Sequence, residues 1–315
     1  MIVFGPVPSR RLGRSLGVNH LPTKVCTYAC VYCQVGPTLQ MQVRRQAFYS
    51  PEQVVQAVRQ RLASLQAQGI RPDFITFVPD GEPTLDLRLG EMLEGLRPLG
   101  IPLAVITNAS LLWQPEVREA LQKADFVSLK VDAVSENLWR RVNRPHGTLK
   151  LAAILEGILV FRSEFTGTLV TETMMVNVPY GQEMEKVAHF LGQVQPHRAY
   201  LAVPTRPPAE PWVQPPSDEV LHQAYQAFVG VLGEDRVEYL LGYEGDAFAS
   251  TGDPEADLLS ITAVHPLREE AVAALLRQTG ASWEVVRRLL REGKLKEIHY
   301  QGHRFYQRPL QRLRR

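Results

Sequence analysis

The 315-residue sequence has only three cysteines, almost no net charge, no repeat at a fixed period and no long apolar run. A membrane helix needs about 18 or more nearly uninterrupted apolar residues, and no window approaches that. The apolar start at residues 1–8 is also too short for a secretory leader. These absences predict no membrane partner and a cytoplasmic location. All three cysteines fall between Cys26 and Cys33. An odd, clustered set in a reducing compartment points away from a disulfide scaffold and toward a metal site. The formal charge of +2 hides an asymmetry: residues 266–315 carry 12 Lys and Arg against 5 Asp and Glu, the rest 23 against 28. A basic module on a mildly acidic body points to an acidic partner such as RNA, although a solvated basic face gives the same count.

Apolar and charged fractions of 45% and 22% are ordinary for a soluble α/β protein of this length. Short β-branched runs predict strands at residues 16–21, 73–78, 102–107, 125–131, 168–176 and 198–203. Between them, apolar residues at helical spacing predict helices at 51–68, 87–96, 115–123, 135–142, 149–161 and 182–193. Ser50 before Pro51 reads as an N-cap followed by proline at the first helical position. Six such units predict an open, partial (β/α)6 barrel rather than a closed eightfold one. A Pro-rich loop over 203–216 then leads to a helix at 218–232 capped by Ser217. A polar linker at 242–254 separates a body, residues 1–250, from a tail, residues 255–315. In the tail, helices at 268–278 and 282–291 precede two short strands joined by Gln301-Gly302, the order of a winged-helix-like domain.

The cysteines stand as Cys26-x3-Cys30-x2-Cys33. Thiolates are soft donors suited to iron–sulfur centres. Three of them hold three irons of a [4Fe-4S] cube and leave the fourth iron open to a small-molecule ligand. A Cys3His zinc site completed by His20, or inert structural thiols, are the plainer alternatives. Zinc sites usually pair C-x2–4-C units with a distant second pair, which is missing here.

With Tyr32 before the third cysteine, this motif resembles the signature of the radical S-adenosylmethionine (SAM) superfamily. Phe4-Gly5-Pro6-Val7-Pro8-Ser9-Arg10-Arg11-Leu12-Gly13, Gly81-Glu82-Pro83-Thr84-Leu85, Ile106-Thr107-Asn108-Ala109-Ser110-Leu111-Leu112 and Asn143-Arg144-Pro145-His146 resemble a narrower branch. That branch is one of Fe-S oxidoreductases grouped with wyosine-tRNA (4-demethylwyosine) synthases. The resemblance covers about residues 1–205. It implies a radical SAM barrel, one [4Fe-4S] cluster on Cys26, Cys30 and Cys33, and a SAM site at the carboxyl ends of the strands. Asp80-Gly81-Glu82 stands where the superfamily has Gly-Gly-Glu, so Gly81 and Glu82 are expected at the methionine amino group. Tyr32 is expected to meet the adenine through its backbone, and Thr107 and Asn108 to line the pocket. Ser128, Lys130 and Asp132 alternate on one strand and so share a face; Lys130 and Asp132 are expected at the SAM carboxylate and ribose hydroxyls.

Plainer roles stand beside these: a turn at Gly81 and Pro83, an ion pair of Lys130 with Asp132, and an Asn108 bonded to its own loop. Arg10, Arg11 and Arg14 are candidates to grip an anionic group of the substrate at the barrel mouth, or they form a solvated basic loop. Glu172 and Asn177 are weaker substrate candidates, whereas Met174 and Met175 read as core.

The reaction follows less directly. Three cysteines are consumed by one cluster, so this chain has no thiolates for a second. RNA or tRNA base modification, with the tail docking the RNA, is the first reading; Tyr300, Phe305 and Tyr306 are candidates to stack on bases, although strand alternation makes at least one of them core. A protein- or peptide-directed enzyme such as an activase is the second, and an Fe-S redox-sensing regulator the third. An electron donor of flavodoxin or ferredoxin type is expected. After anaerobic reconstitution we expect about four irons and four sulfides per chain and a spectral change on adding SAM. Replacing Cys26, Cys30 or Cys33 by Ala should abolish both, whereas stoichiometric zinc without iron in active protein would refute the cluster.

Overall fold

The computed structural model describes residues 2–242, 245 and 248–310. Part of the expected linker (243, 244, 246 and 247) and residues 311–315, which carry Arg312, Arg314 and Arg315, lie outside the described residues. The chain opens with an antiparallel hairpin of β1 (Val3–Ser9) and β2 (Gly13–Val18). A long segment follows, pinned by the two-residue parallel pair β3 (Val25–Cys26) and β4 (Gln40–Met41). Helix and strand then alternate: α1 (Pro51–Ala67), β5 (Phe74–Phe77), α2 (Leu89–Leu96), β6 (Leu103–Thr107), α3 (Pro115–Leu121), β7 (Phe126–Lys130). They continue through α4 (Glu136–Val142), α5 (Leu151–Glu164), β8 (Thr168–Met174), α6 (Glu183–Val194), β9 (Arg198–Ala202), α7 (Asp218–Leu232) and β10 (Val237–Leu240).

The local signals act as the sequence predicts. Ser50 Oγ accepts from Gln53 N at 3.2 Å while Gln53 Oε1 accepts from Ser50 N at 3.0 Å, a capping box that starts α1. Val54, Val58 and Leu65, on one stripe of α1, are fully buried against the sheet.

The main sheet has the order β1-β2-β5-β6-β7-β8-β9-β10 and is parallel from β2 onward. All six expected strands are present, adjacent and in chain order. The count of six is corrected: α7 feeds a seventh parallel strand, β10, and β1 adds an antiparallel edge. Four residues, two of them Glu238 and Tyr239, give β10 too little alternation to read from sequence. The sheet stays open, with β1 and β10 as its edges, which is the α/β partial barrel expected.

The tail comprises α8 (Pro254–Val264), β11 (Leu267–Arg268), α9 (Glu269–Thr279), α10 (Glu284–Arg291), β12 (Lys296–Tyr300) and β13 (His303–Gln307). Its strands form a small antiparallel sheet, β11-β13-β12. Gln301 and Gly302 both have positive φ, 48° and 75°, as a two-residue hairpin turn requires. Tyr300, Phe305 and Tyr306 are 7%, 0% and 3% exposed, so all three are core, and none of them is available to stack on a base. The tail's apolar cluster incorporates Phe4 and Val7 of β1 together with Leu258, Leu267 and Leu289. Phe4 can seat there because its strand partner is Gly17, where a Cβ would lie 2.0 Å from the Phe4 ring. Tail and barrel thus share a core at the antiparallel edge.

Replacing Phe4 by Ala should therefore cost about 3–5 kcal/mol and loosen the tail before the barrel. Denaturant titration with limited proteolysis checks this, and a tail no more readily cleaved in the variant would show that its core is independent of β1.

Candidate functional site

The segment carrying Cys26, Cys30 and Cys33 lies across the carboxyl ends of the parallel strands and is gripped on every side by backbone. Ala29 N donates to Asn143 O and Arg144 O, Val31 N to Val142 O, and His146 N donates back to Thr27 O. Gln42 N donates to Cys26 O, Glu82 N to Val25 O at 3.1 Å, and Glu210 N to Val31 O. Gln34 Oε1 accepts from Thr205 N and Arg206 N of the Pro-rich loop. Gly81 packs so tightly that an added Cβ would sit 1.9 Å from Val25 O, which makes glycine obligatory there.

Glu82 is 1% exposed and nearly saturated. Its Oε1 accepts from Thr84 N (3.0 Å), Thr84 Oγ1 (2.6 Å) and Thr107 Oγ1 (2.6 Å), and its Oε2 from Asn108 N (2.8 Å). Burial raises its pKa, opposed by these donors. Asn108 Oδ1 accepts from Ser110 N at 3.0 Å, the plain loop role, while its Nδ2 donates to Thr27 Oγ1 at 2.8 Å and approaches Cys26 Sγ at 3.6 Å. Gly81, Glu82, Thr107 and Asn108 therefore meet the first cysteine as one network.

A second network meets Cys30. Tyr32 OH donates to Asp132 Oδ2, which also accepts from Asn143 Nδ2 at 2.6 Å; Asp132 Oδ1 accepts from Met174 N at 2.8 Å. Asn143 Nδ2 also approaches Cys30 Sγ at 3.6 Å. Lys130 Nζ lies 3.6 Å from Asp132, 2.9 Å from Glu172 and 4.9 Å from the Tyr32 ring centre. The plain ion pair of Lys130 with Asp132 is thus formed. Asp132, with four partners and a side chain 1% exposed, has little capacity left for a ribose.

Arg11 reaches inside the barrel to Glu172 and to Ser128 Oγ at 3.1 Å. Burial would raise Glu172, but Lys130 and Arg11 outweigh it and hold the carboxyl at about 2. The other arginines are not with it: Arg14 pairs with Asp73 on the exposed amino-end side, and Arg10 Nη1 donates to Leu241 O. The expected trio at the mouth reduces to Arg11. Asn177 is also elsewhere, exchanging two 2.9 Å bonds with Gln214 to hold the Pro-rich loop.

Three groups escaped the sequence reading. Asn143 lies in a quoted motif but carried no assigned role. Lys24, two residues before Cys26, is 2% exposed, with Nζ donating to Cys33 Sγ at 3.1 Å. Asp80 is 4% exposed, its Oδ1 has no hydrogen-bond partner among the described residues, and burial raises its pKa to about 6.

Burial pushes the Cys26 and Cys30 thiols up to about 12, helped by Glu82 at the first and Asp132 at the second. Such sulfurs keep their protons until a cation displaces them. Among the described residues no three His, Cys, Asp or Glu side chains converge closely enough to hold a single metal ion. His20, the fourth ligand in the zinc alternative, is fully buried with its Nε2 on Pro83 O at 3.2 Å. The three soft thiol donors suit a [4Fe-4S] cube, in which each thiolate would take a different iron.

The sequence over residues 21–191 matches the family described as the radical SAM superfamily. A UPF0026 protein of Methanocaldococcus jannaschii is 44% identical over 98% of this chain and 96% of its own length. Among solved structures, a radical SAM methyltransferase from Sphaerobacter thermophilus is similar with TM-score 0.54 at 16% identity, over 73% of this chain and 67% of that one. Streptococcus suis SuiB bound to S-adenosylmethionine is similar with TM-score 0.51 at 14% identity, over 72% of this chain and 51% of that one. The chain thus spans about half the length of SuiB, and at such identities both likenesses are of fold.

Glu82→Ala would leave buried donors of Thr84, Thr107 and Asn108 unpaired, each costing about 1–3 kcal/mol. We expect a clear loss of thermal stability and SAM affinity at least tenfold weaker, with iron content retained. Unchanged SAM affinity in spectral titrations would remove Glu82 from the SAM site.

Proposed function

This chain belongs to the radical SAM superfamily and to the UPF0026 proteins, and from that premise we propose that it cleaves SAM at a single [4Fe-4S] cluster to modify a nucleotide of RNA. Cys26, Cys30 and Cys33 would hold the cluster; when bound, cluster and SAM together supply a 5′-deoxyadenosyl radical. Glu82, with one lone pair left on Oε2, would take the SAM ammonium, and the Gly81 backbone, pressed on Val25, would hold the turn that carries it. Lys130 is the cation available for the SAM carboxylate if Glu172 shares it. Tyr32, Asn143 and Asp132 orient the loop around Cys30. The electron would come from a flavodoxin- or ferredoxin-type donor.

The RNA reading rests on one observation: the basic tail, which we read as winged-helix-like, is seated beside the cysteine segment. Tyr300 OH donates to Pro204 O at 3.3 Å, and Arg206 Nη1 to His265 Nδ1 at 2.6 Å. A cavity of about 380 Å³ runs between the two parts, with Asp80 and Arg308 both in its wall. A nucleic acid held on the tail would be delivered to that opening. The likeness of four segments to the branch of Fe-S oxidoreductases grouped with wyosine-tRNA synthases is in keeping with it.

Charge pairing within the tail limits the attraction without removing it. Arg287 and Arg291 lie on Glu284, Arg288 and Lys294 on Glu255, and Arg304 on Glu269 and Glu297. All are substantially exposed, and such pairs are worth about 0–1 kcal/mol, so phosphates can exchange for the glutamates at small cost. Phosphate contacts would position RNA rather than read its sequence.

Because the tail shares its core with Phe4, substitution is a cleaner test than truncation. Arg288→Ala and Lys296→Ala should each weaken tRNA binding at low salt and lower the slope of log K against log salt by about 1. Cluster content and uncoupled SAM cleavage should not change. Full-length protein that binds tRNA no better at low salt than at high salt would send the reading to a protein or peptide substrate.

A further inference from the structure

Lys24 is a buried cation in an uncommon backbone conformation. It is 2% exposed, and its backbone takes the left-handed region at φ 57°, rare for a side-chain-bearing residue. That conformation is held by backbone bonds. Lys24 O accepts from both Leu39 N and Gln40 N at 3.1 Å. The fold therefore holds strain at this residue and aims the side chain inward. The only side-chain hydrogen bond of Nζ among the described residues goes to Cys33 Sγ at 3.1 Å. The groups that face it are the sulfurs of Cys33 and Cys26, which carry negative charge as thiolates when a cluster is bound, and the Asp80 carboxylate. A buried ammonium is costly without a fixed negative partner, and two of its three partners are cysteines.

We propose that Lys24 is the charge-balancing residue of the cluster: its ammonium hydrogen-bonds to the iron-bound Cys33 sulfur and raises the potential at which the cluster accepts its electron. The inference rests on the [4Fe-4S] reading of the three cysteines. The step is a one-electron transfer from a flavodoxin- or ferredoxin-type donor, with no proton moved and no bond made or broken. Three thiolates leave the oxidised site with excess negative charge, and the incoming electron adds to it. A cation in contact with one sulfur, shielded from water, stabilises the reduced form more than the oxidised form. Hydrogen bonds to cluster sulfurs and local charge are among the terms that set such potentials. Lys130, which Cys30 faces, is already divided between Asp132 and Glu172.

The test uses full-length protein, anaerobically reconstituted, as wild type, Lys24→Met and Lys24→Arg. Iron and sulfide content is measured first, then the midpoint potential by a redox titration followed by electron paramagnetic resonance. At matched iron content we expect Lys24→Met to lower the ratio of reduced to oxidised cluster about tenfold at fixed potential. For one electron this is a midpoint about 59 mV more negative. Lys24→Arg, which keeps the charge, should stay much nearer to wild type. A fully loaded Lys24→Met with an unshifted midpoint overturns the proposal while leaving the cluster intact. Wild-type protein that assembles no cluster overturns both. Should Lys24→Met fail to load, pulsed resonance on the reduced wild-type cluster with 15N-labelled lysine decides. A lysine nitrogen coupling that disappears in Lys24→Arg supports the contact, and its absence from the wild type overturns it.

Discussion

One buried carboxylate organises the site. Glu82 takes donors from its own turn, from the end of β6 and from the backbone of Asn108, whose amide group then reaches Thr27 and Cys26. The tips of β5 and β6 and the first cysteine are thereby fixed relative to one another. The close contact of Gly81 with Val25 adds a second constraint, because no side chain can enter between the turn and the cysteine segment. A segment with so little regular structure would otherwise be free to sample many conformations, and ordering it costs about 1–2 kcal/mol per residue in backbone entropy alone. Its many backbone bonds to neighbouring loops offset that cost before any iron is bound.

The barrel was legible because each strand and helix satisfies its own period, so local pattern and global packing agree. Ser50 and Pro51 announced α1, and all six expected strands occur in the expected order. β10 was invisible because four residues of an edge strand carry no pattern that a loop lacks. The cysteines, Gly81, Glu82, Thr107 and Asn108 were legible because each stands in a short contiguous motif at a strand end. Asn143 and Lys24 were not, for a different reason. Asn143 meets Cys30 across 113 residues of sequence, and a lysine beside a cysteine motif looks like any surface lysine until the tertiary fold buries it. The tail aromatics show the opposite failure: a position that alternates into a small sheet reads as an available ring until its face is found covered.

The barrel interior also constrains what kind of substrate it can grip. Arg11, Glu172, Lys130 and Asp132 form a chain of alternating charge, and their formal charges cancel. An anionic substrate group entering from below the cysteine segment would meet a wall that is polar but electrically balanced. To hold a phosphate there, Arg11 or Lys130 would have to release Glu172, whose carboxyl is held down near 2 by those same cations. Breaking a buried pair leaves an uncompensated charge and is far more expensive than exchanging an exposed one. The tail pairs are of the exposed kind. Charge exchange is therefore cheap among the exposed pairs of the tail and costly within the buried chain of Arg11, Glu172, Lys130 and Asp132.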